Sequence, residues 1–126
     1  MNSNIHNNLL EDVSNVAIFG IAGAIGNAYL QSFISNKNIQ KITTFSRSKL
    51  QTPHSKVSHF TIDIFDEKNL KQTLDNIQET FQLIIVCTGI LHTATTMPEK
   101  SLNQTNLQAY ETVYKVNTIG PALIAK

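Results

Sequence analysis

The sequence of 126 residues contains no tryptophan, one cysteine, one arginine and three prolines. A single thiol, Cys87, cannot close an internal disulfide, which excludes a small disulfide-stapled fold. Without secretory features it points to a reducing interior, so a cytoplasmic protein is expected. Charge of one sign is also missing. Nine lysines and the one arginine stand against nine acids, a net charge of +1 with no run of either sign. That balance gives no electrostatic basis for a nucleic-acid or anionic-membrane partner and suits a small neutral ligand or a compensated anion. Long hydrophobic runs are lacking too. "VAIFGIAGAIG" is too short to span a bilayer, and the residues before it are Asn-rich with Glu11 and Asp12 where a signal peptide would be basic. No metal site is expected.

What is present is 41% apolar residues, enough for one globular core in residues 15–126. Residues 1–14 show little pattern and are expected to form a flexible arm or an extra helical turn, with no assigned function. Val16 to Phe19 is a short apolar run that meets a turn at Gly20, and the run from Ala24 to Ile34 has helical length, giving strand, turn, helix. "KITTFS" at 41–46 and "VSHFTID" at 57–63 are β-branched and aromatic, and read as the second and third strands with polar, ligand-facing ends. The "RSKLQTPHSK" between them reads as a loop or one helical turn. Asp66 is placed to cap a helix with Leu70, Leu74, Ile77 and Phe81 on one face. "LIIVCTG" at 83–89, apolar without alternation, reads as a buried parallel strand. A loop containing Pro98 follows, and Thr105 or Asn106 opens a long helix through Leu107, Tyr110, Val113, Tyr114 and Asn117 to the end of the chain. The order β-α-β-β-α-β-α predicts an α/β fold, a Rossmann-type doubly wound parallel sheet of about four strands with flanking helices.

Three of the five glycines stand in "GIAGAIG" as G-x-x-G-x-x-G, directly after the first strand and at the first helix start. In that context Gly20 permits a tight turn, Gly23 lets backbone approach a pyrophosphate, and Gly26 lets helix and sheet pack closely. Unpaired N–H groups of the helix start would face the phosphates. Gly20, Ile21, Ala22, Gly23, Ile25 and Gly26 form the expected cofactor-binding turn; the competing reading is a strand-to-helix turn with packing glycines. About 20 residues on, where an acid would mark a ribose 2′-hydroxyl, stand Ser46 and Arg47. A lone Arg among lysines there suits bidentate capture of a 2′-phosphate, hence NADP over NAD, against the alternative of a solvated loop residue. Asp63 is either an acceptor for the adenine amino group or a turn residue. Gly89 stands where the fourth strand leaves the sheet and would permit close approach to a ligand. Cys87, inside an apolar run, is expected to be inert, and His92 is a loop residue near the crevice mouth or simply exposed. Pro121 lacks an N–H, so in a continuous helix the carbonyl of Asn117 loses its partner and is free to hold a water, unless the Pro marks only a packing kink.

Together the glycine turn, Arg47, Asp63, "CTGILH" and "VNTIGPALIAK" resemble the short-chain dehydrogenase/reductase family, most closely a branch similar to bacterial C-factor, over nearly the whole chain after residue 14. The resemblance implies a Rossmann fold and hydride transfer between a nicotinamide and a small-molecule carbonyl or alcohol. It implies that Asn117 is the helix Asn whose main chain holds a water of the proton relay, that Arg47 meets the 2′-phosphate, Asp63 with Ile64 the adenine, and Gly89 the nicotinamide ribose side. It also implies a homo-oligomer in the full-length protein. Phe19, where the family often has Thr, and Cys87–Thr88, where it usually has Asn-Ala, depart from the pattern. The family's Ser and Tyr-x-x-x-Lys are expected downstream of the Asn helix, beyond Lys126; Tyr110 and Lys115 are five apart, and Lys126 would need a Tyr at Ala122. The expectation is therefore the cofactor-binding half of such an enzyme, inactive alone. The competing readings are a non-enzymatic nucleotide-binding or partner-binding module and a sugar-nucleotide epimerase relative.

Overall fold

The computed structural model describes residues 10–95 and 97–126, and the chain divides into two compact units that join between Cys87 and Thr88. In the first unit the strands β1 (Asn15–Phe19), β2 (Lys41–Ser46), β3 (Val57–Thr61) and β4 (Leu83–Val86) form one parallel sheet in the order β3-β2-β1-β4. Helices α1 (Ala24–Ser35) and α2 (Glu67–Asp75) make the β1–β2 and β3–β4 crossovers, and residues 47–56 join β2 to β3 without a helix. This is the N-terminal half of the Rossmann-type arrangement expected from the sequence. Because the chain passes from β3 to the far side of β1, the order reverses beside β1, and the carboxyl ends of all four strands share one edge. In open α/β sheets ligands bind at that edge, near the reversal.

The composition of β1 explains its central place. Val16, Ala17, Ile18 and Phe19 are all buried, so both faces of the strand are covered. On one face Val16, Ile18 and Ile42 join Ile21, Leu30, Phe33 and Ile39 in a single cluster. The alternate residues place Phe19, Phe45 and Phe60 side by side by register, and their rings stack with centroids 4.3 and 5.6 Å apart. Burial of each such side chain contributes about 1.5–3 kcal/mol. The departure at Phe19 therefore has a structural account: the position carries an aromatic stack in place of a hydroxyl.

Helix α1 has no basic residue in its last turn. Lys56, from the β2–β3 connection, supplies the cation, its Nζ donating to the carbonyls of Ile34 at 3.1 Å and Asn36 at 2.9 Å. Helix α2 starts as expected, with the Asp66 carboxylate accepting from the Asn69 N–H at 3.1 Å, but it ends at Asp75, so Ile77 and Phe81 do not extend its apolar face. Residues 76–82 belong to neither helix nor strand; Gln82 N–H donates to the Asn15 carbonyl and Leu83 pairs with Val16, where β4 begins. The third and fourth strands are also shorter than expected, ending at Thr61 and Val86.

Leu10 and Val13, in the expected arm, pack against the core cluster, with Val13 N–H donating to the Leu10 carbonyl; residues 1–9 lie outside the described residues. In the second unit a 3-10 turn (Leu102–Gln104) precedes α3 (Leu107–Tyr114), whose cap is Asn106, accepting from the Ala109 N–H at 2.9 Å. The helix expected to continue unbroken instead passes through a π-helical turn, Lys115–Ile119, into α4 (Gly120–Ala125). There Gly120 N–H reaches back five residues, to the carbonyl of Lys115. Pro121 gives the physical reason for an irregularity at this point, since it withholds an N–H from the carbonyls both four and five residues before it. No helix among the described residues is long and apolar enough to cross a membrane.

Candidate functional site

The three turn glycines are required for three different reasons. Gly20 has φ 89°, the left-handed region that a side chain disfavours, and its N–H donates to the Phe45 carbonyl at 2.9 Å. Gly26 is buried, and a Cβ there would lie 2.2 Å from the Gly20 carbonyl oxygen and 2.8 Å from its carbon, so the helix can approach the turn only without a side chain. Gly23 is different. Its φ of −82° and ψ of 160° suit any residue, and a Cβ would meet only the Gly20 oxygen, at an ordinary 3.7 Å. Neither backbone strain nor packing asks for glycine at position 23, where the chain is exposed and α1 begins. No side chain caps that helix start and no acid lies in its first turn, which leaves the partial positive charge of its N-terminus available to an anion. Of the neighbouring candidates, Ala22 and Ile25 are exposed, whereas the Ile21 side chain is in the core and only its backbone can face a ligand.

Hydrogen bonds link this turn to the other candidates in the first unit. Gly20 is held by Phe45, whose successor Ser46 accepts from the Ile62 N–H at 2.9 Å, and Asp63 follows. Arg47 is exposed and has no hydrogen bond or ion pair with another described residue, so its guanidinium is uncommitted. The Ser46 hydroxyl, by contrast, donates to the Ser48 carbonyl at 2.7 Å, so it is not free to donate to a phosphate. Asp63 takes the turn role left open by the sequence: one carboxylate oxygen accepts from the Phe65 N–H at 3.0 Å and its carbonyl accepts from the Asp66 N–H. The residue is exposed and keeps its second oxygen; Ile64 beside it is half-buried. The Cys87 N–H is bonded to the Phe19 carbonyl, and burial raises its thiol pKa, which lowers the thiolate fraction as expected of an inert Cys.

In the second unit the Asn117 side chain, carried on the π turn, brackets one peptide group. Its Oδ1 accepts from the Ile90 N–H at 2.7 Å and its Nδ2 donates to the Ile90 carbonyl at 2.8 Å. The amide thus fixes the Ile90 peptide directly after Gly89, where a Cβ would meet only Asn117 Oδ1, at 3.5 Å. Gly89, like Gly23, is exposed and is not a glycine for packing reasons. His92 is exposed. Sequence reasoning singled out Asn117 for its main chain and missed the side-chain bracket, which depends on residues 27 positions apart. It also missed His59, whose ring bonds both Thr44 and Ser48; only the strand register places it there. No group of three or more His, Cys, Asp or Glu that could hold a metal ion occurs among the described residues.

No curated protein sequence matches this chain. Its fold is similar to that of an NADPH-bound carbonyl reductase from chicken fatty liver, with a TM-score of 0.73, 20% identity, and 90% of this chain and 49% of that one covered. It is similar as well to a short-chain dehydrogenase from Leptospira borgpetersenii with bound NAD+, with a TM-score of 0.71, 20% identity, and 90% and 44% covered. A short-chain dehydrogenase family protein from Francisella tularensis gives a TM-score of 0.71 at 17% identity, with 90% and 44% covered. The chain thus spans about half the length of these solved relatives. At such identities the likeness speaks for fold, but the KR domain family model matches residues 14–124, nearly the whole sequence. The chain belongs to the KR domain family, and its fold is similar to one half of these short-chain dehydrogenases and reductases.

Proposed function

We propose that this chain is the cofactor-binding half of an NADP-dependent short-chain dehydrogenase/reductase that interconverts a small-molecule carbonyl compound and its alcohol. The observation that carries the reading is Gly23: the fold has room for a side chain there, at an uncapped helix start on the carboxyl edge of the sheet, so the glycine serves something outside the chain. A pyrophosphate fits that place by charge and by close approach of backbone. Solved relatives with NADPH or NAD+ bound support a nicotinamide cofactor of either kind. The choice of NADP rests on the uncommitted Arg47, two residues after the carbonyl that anchors Gly20.

In this reading Gly20, Ala22, Gly23, Ile25 and Gly26, with the backbone of Ile21, hold the pyrophosphate. Arg47 beside Ser46 meets the 2′-phosphate, Asp63 with Ile64 borders the adenine, and Gly89 lies against the nicotinamide ribose. The bound cofactor supplies the hydride. The part of Asn117 is to fix the loop after Gly89 through its side chain and, through its main chain in the π turn, to hold a water of the proton relay. None of the three tyrosines is followed four residues later by Lys, so the family's general acid–base pair is not among these residues. A homo-oligomeric, cytoplasmic enzyme completes the proposal. The test is titration of the chain with NADPH and NADH, each in wild type and Arg47→Ala. A charge-assisted bond to phosphate contributes about 1.5–3 kcal/mol, so the variant should lose roughly tenfold or more in NADPH affinity with NADH little changed. Equal losses would refute the choice of NADP, and no binding of either nucleotide would favour a partner-binding module.

A further inference from the structure

The segment Ser46–Arg47–Ser48 is not a loose loop. The Ser48 carbonyl accepts twice, from the Ser46 hydroxyl at 2.7 Å and from the ring of His59 at 2.9 Å. A carbonyl oxygen can only accept, so His59 Nε2 carries a hydrogen and donates it. The other ring nitrogen, Nδ1, is 2.8 Å from the hydroxyl of Thr44. Thr44 is fully buried on β2 and is the register partner of His59 on β3. The ring is thus oriented by a buried hydroxyl at one end and reaches out to the loop at the other. Both acceptor positions of the Ser48 carbonyl are filled, and the Ser46 carbonyl is held in turn by Ile62 N–H. Arg47 lies between two carbonyls that are each fixed, while its own side chain makes no bond within the described residues.

A guanidinium that must meet a phosphate gains from a backbone already held in the binding shape, because less conformational freedom is lost on binding. The committed Ser46 hydroxyl reinforces the point: its part is to shape the loop, not to touch the ligand. We infer that His59 is a positioning residue for the 2′-end of the dinucleotide, holding the Ser46–Ser48 loop so that Arg47 is presented to a 2′-phosphate. This rests on the reading of Arg47 given above and extends it. His59 then governs the preference for NADP(H) over NAD(H) without governing nucleotide binding in general.

The experiment uses the 126-residue chain in wild type, Arg47→Ala, His59→Leu, His59→Gln and Ser46→Ala forms, each titrated with NADPH, NADH and 2′,5′-ADP, with thermal melts alongside. Loss of one neutral hydrogen bond that shapes a site weakens binding by about three- to tenfold. His59→Leu should raise the Kd for NADPH and 2′,5′-ADP by about that factor and leave NADH within about twofold. His59→Gln, whose amide N–H can replace Nε2 as donor to Ser48, should recover most of the preference. Ser46→Ala removes the other bond to the same carbonyl and should shift the ratio in the same direction; it decides the matter if His59→Leu does not fold. A loss in His59→Leu shared equally by NADPH and NADH would show a merely structural role and overturn the inference. An unchanged ratio in His59→Leu and Ser46→Ala, with Arg47→Ala still selective, would overturn it while leaving the cofactor reading standing. A preference unaffected by Arg47→Ala would remove both.

Discussion

Two glycines three residues apart should respond to alanine in opposite ways, and the difference separates fold from function. At Gly26 a Cβ would stand 2.2 Å from the Gly20 oxygen and 3.0 Å from the Ile21 Cα. These are backbone atoms of a turn already fixed by the Gly20–Phe45 bond. Alanine inside a helix ordinarily gains about 1 kcal/mol over glycine. Overpacking against atoms that cannot move aside costs about 1–3 kcal/mol or more, and a contact this short belongs at the upper end. Gly26→Ala should therefore lose about 2 kcal/mol net, which lowers Tm by roughly 8 °C at about 4 °C per kcal/mol. At Gly23 the backbone suits alanine and the nearest atom is at an ordinary distance. The smaller freedom of the unfolded chain contributes about 0.4–1 kcal/mol, and the poorer helix cap costs a similar amount. Gly23→Ala should leave Tm within a few degrees, at roughly ±1 kcal/mol, yet weaken NADPH binding; Gly23→Val should abolish it with helix content unchanged. Circular dichroism melts paired with NADPH titrations read both effects. A Gly23 variant that destabilises as much as Gly26→Ala, or that binds NADPH as well as wild type, would refute the reasoning.

Other consequences follow from named contacts. Lys56→Met removes the cation from the carbonyls of Ile34 and Asn36 and should cost about 1–2 kcal/mol in urea unfolding, with cofactor preference unaltered. Asn117→Ala removes both bonds to the Ile90 peptide and should speed hydrogen exchange of the Ile90 amide by at least about tenfold, since each bond contributes about 1 kcal/mol; exchange at the wild-type rate would show that the bracket does not hold that peptide. The 126-residue chain should oxidise no NADPH with any carbonyl, lacking an acid–base step that contributes ~10²–10⁴-fold. It should also self-associate on gel filtration, because Ile84 and Val86 on β4, and separately Tyr110, Tyr114 and Ile119, stand exposed. Turnover by a monomeric chain would contradict both statements.

The sequence was sufficient wherever the deciding interaction is local. The apolar run of β1, the turn at Gly20 and the caps at Asp66 and Asn106 depend on residues within a few positions, and the structure has them where the pattern puts them. The rest of the proposed site came from the family resemblance. A local signal alone did not set the element boundary: the periodicity of Leu70, Leu74, Ile77 and Phe81 continues past Asp75, yet the helix stops there and β4 begins at Leu83, paired with Val16 of β1. Pro121 announced a disturbance near Asn117, but its form, a π turn with the Asn side chain locked on Ile90, depends on a peptide 27 residues away. The same holds for the cation that Lys56 brings to α1 and for the ring of His59 between Thr44 and Ser48. For His59 the deciding fact is that strand register sets it beside Thr44, and register is settled by burial summed over the whole sheet, not by any residue and its neighbours in sequence.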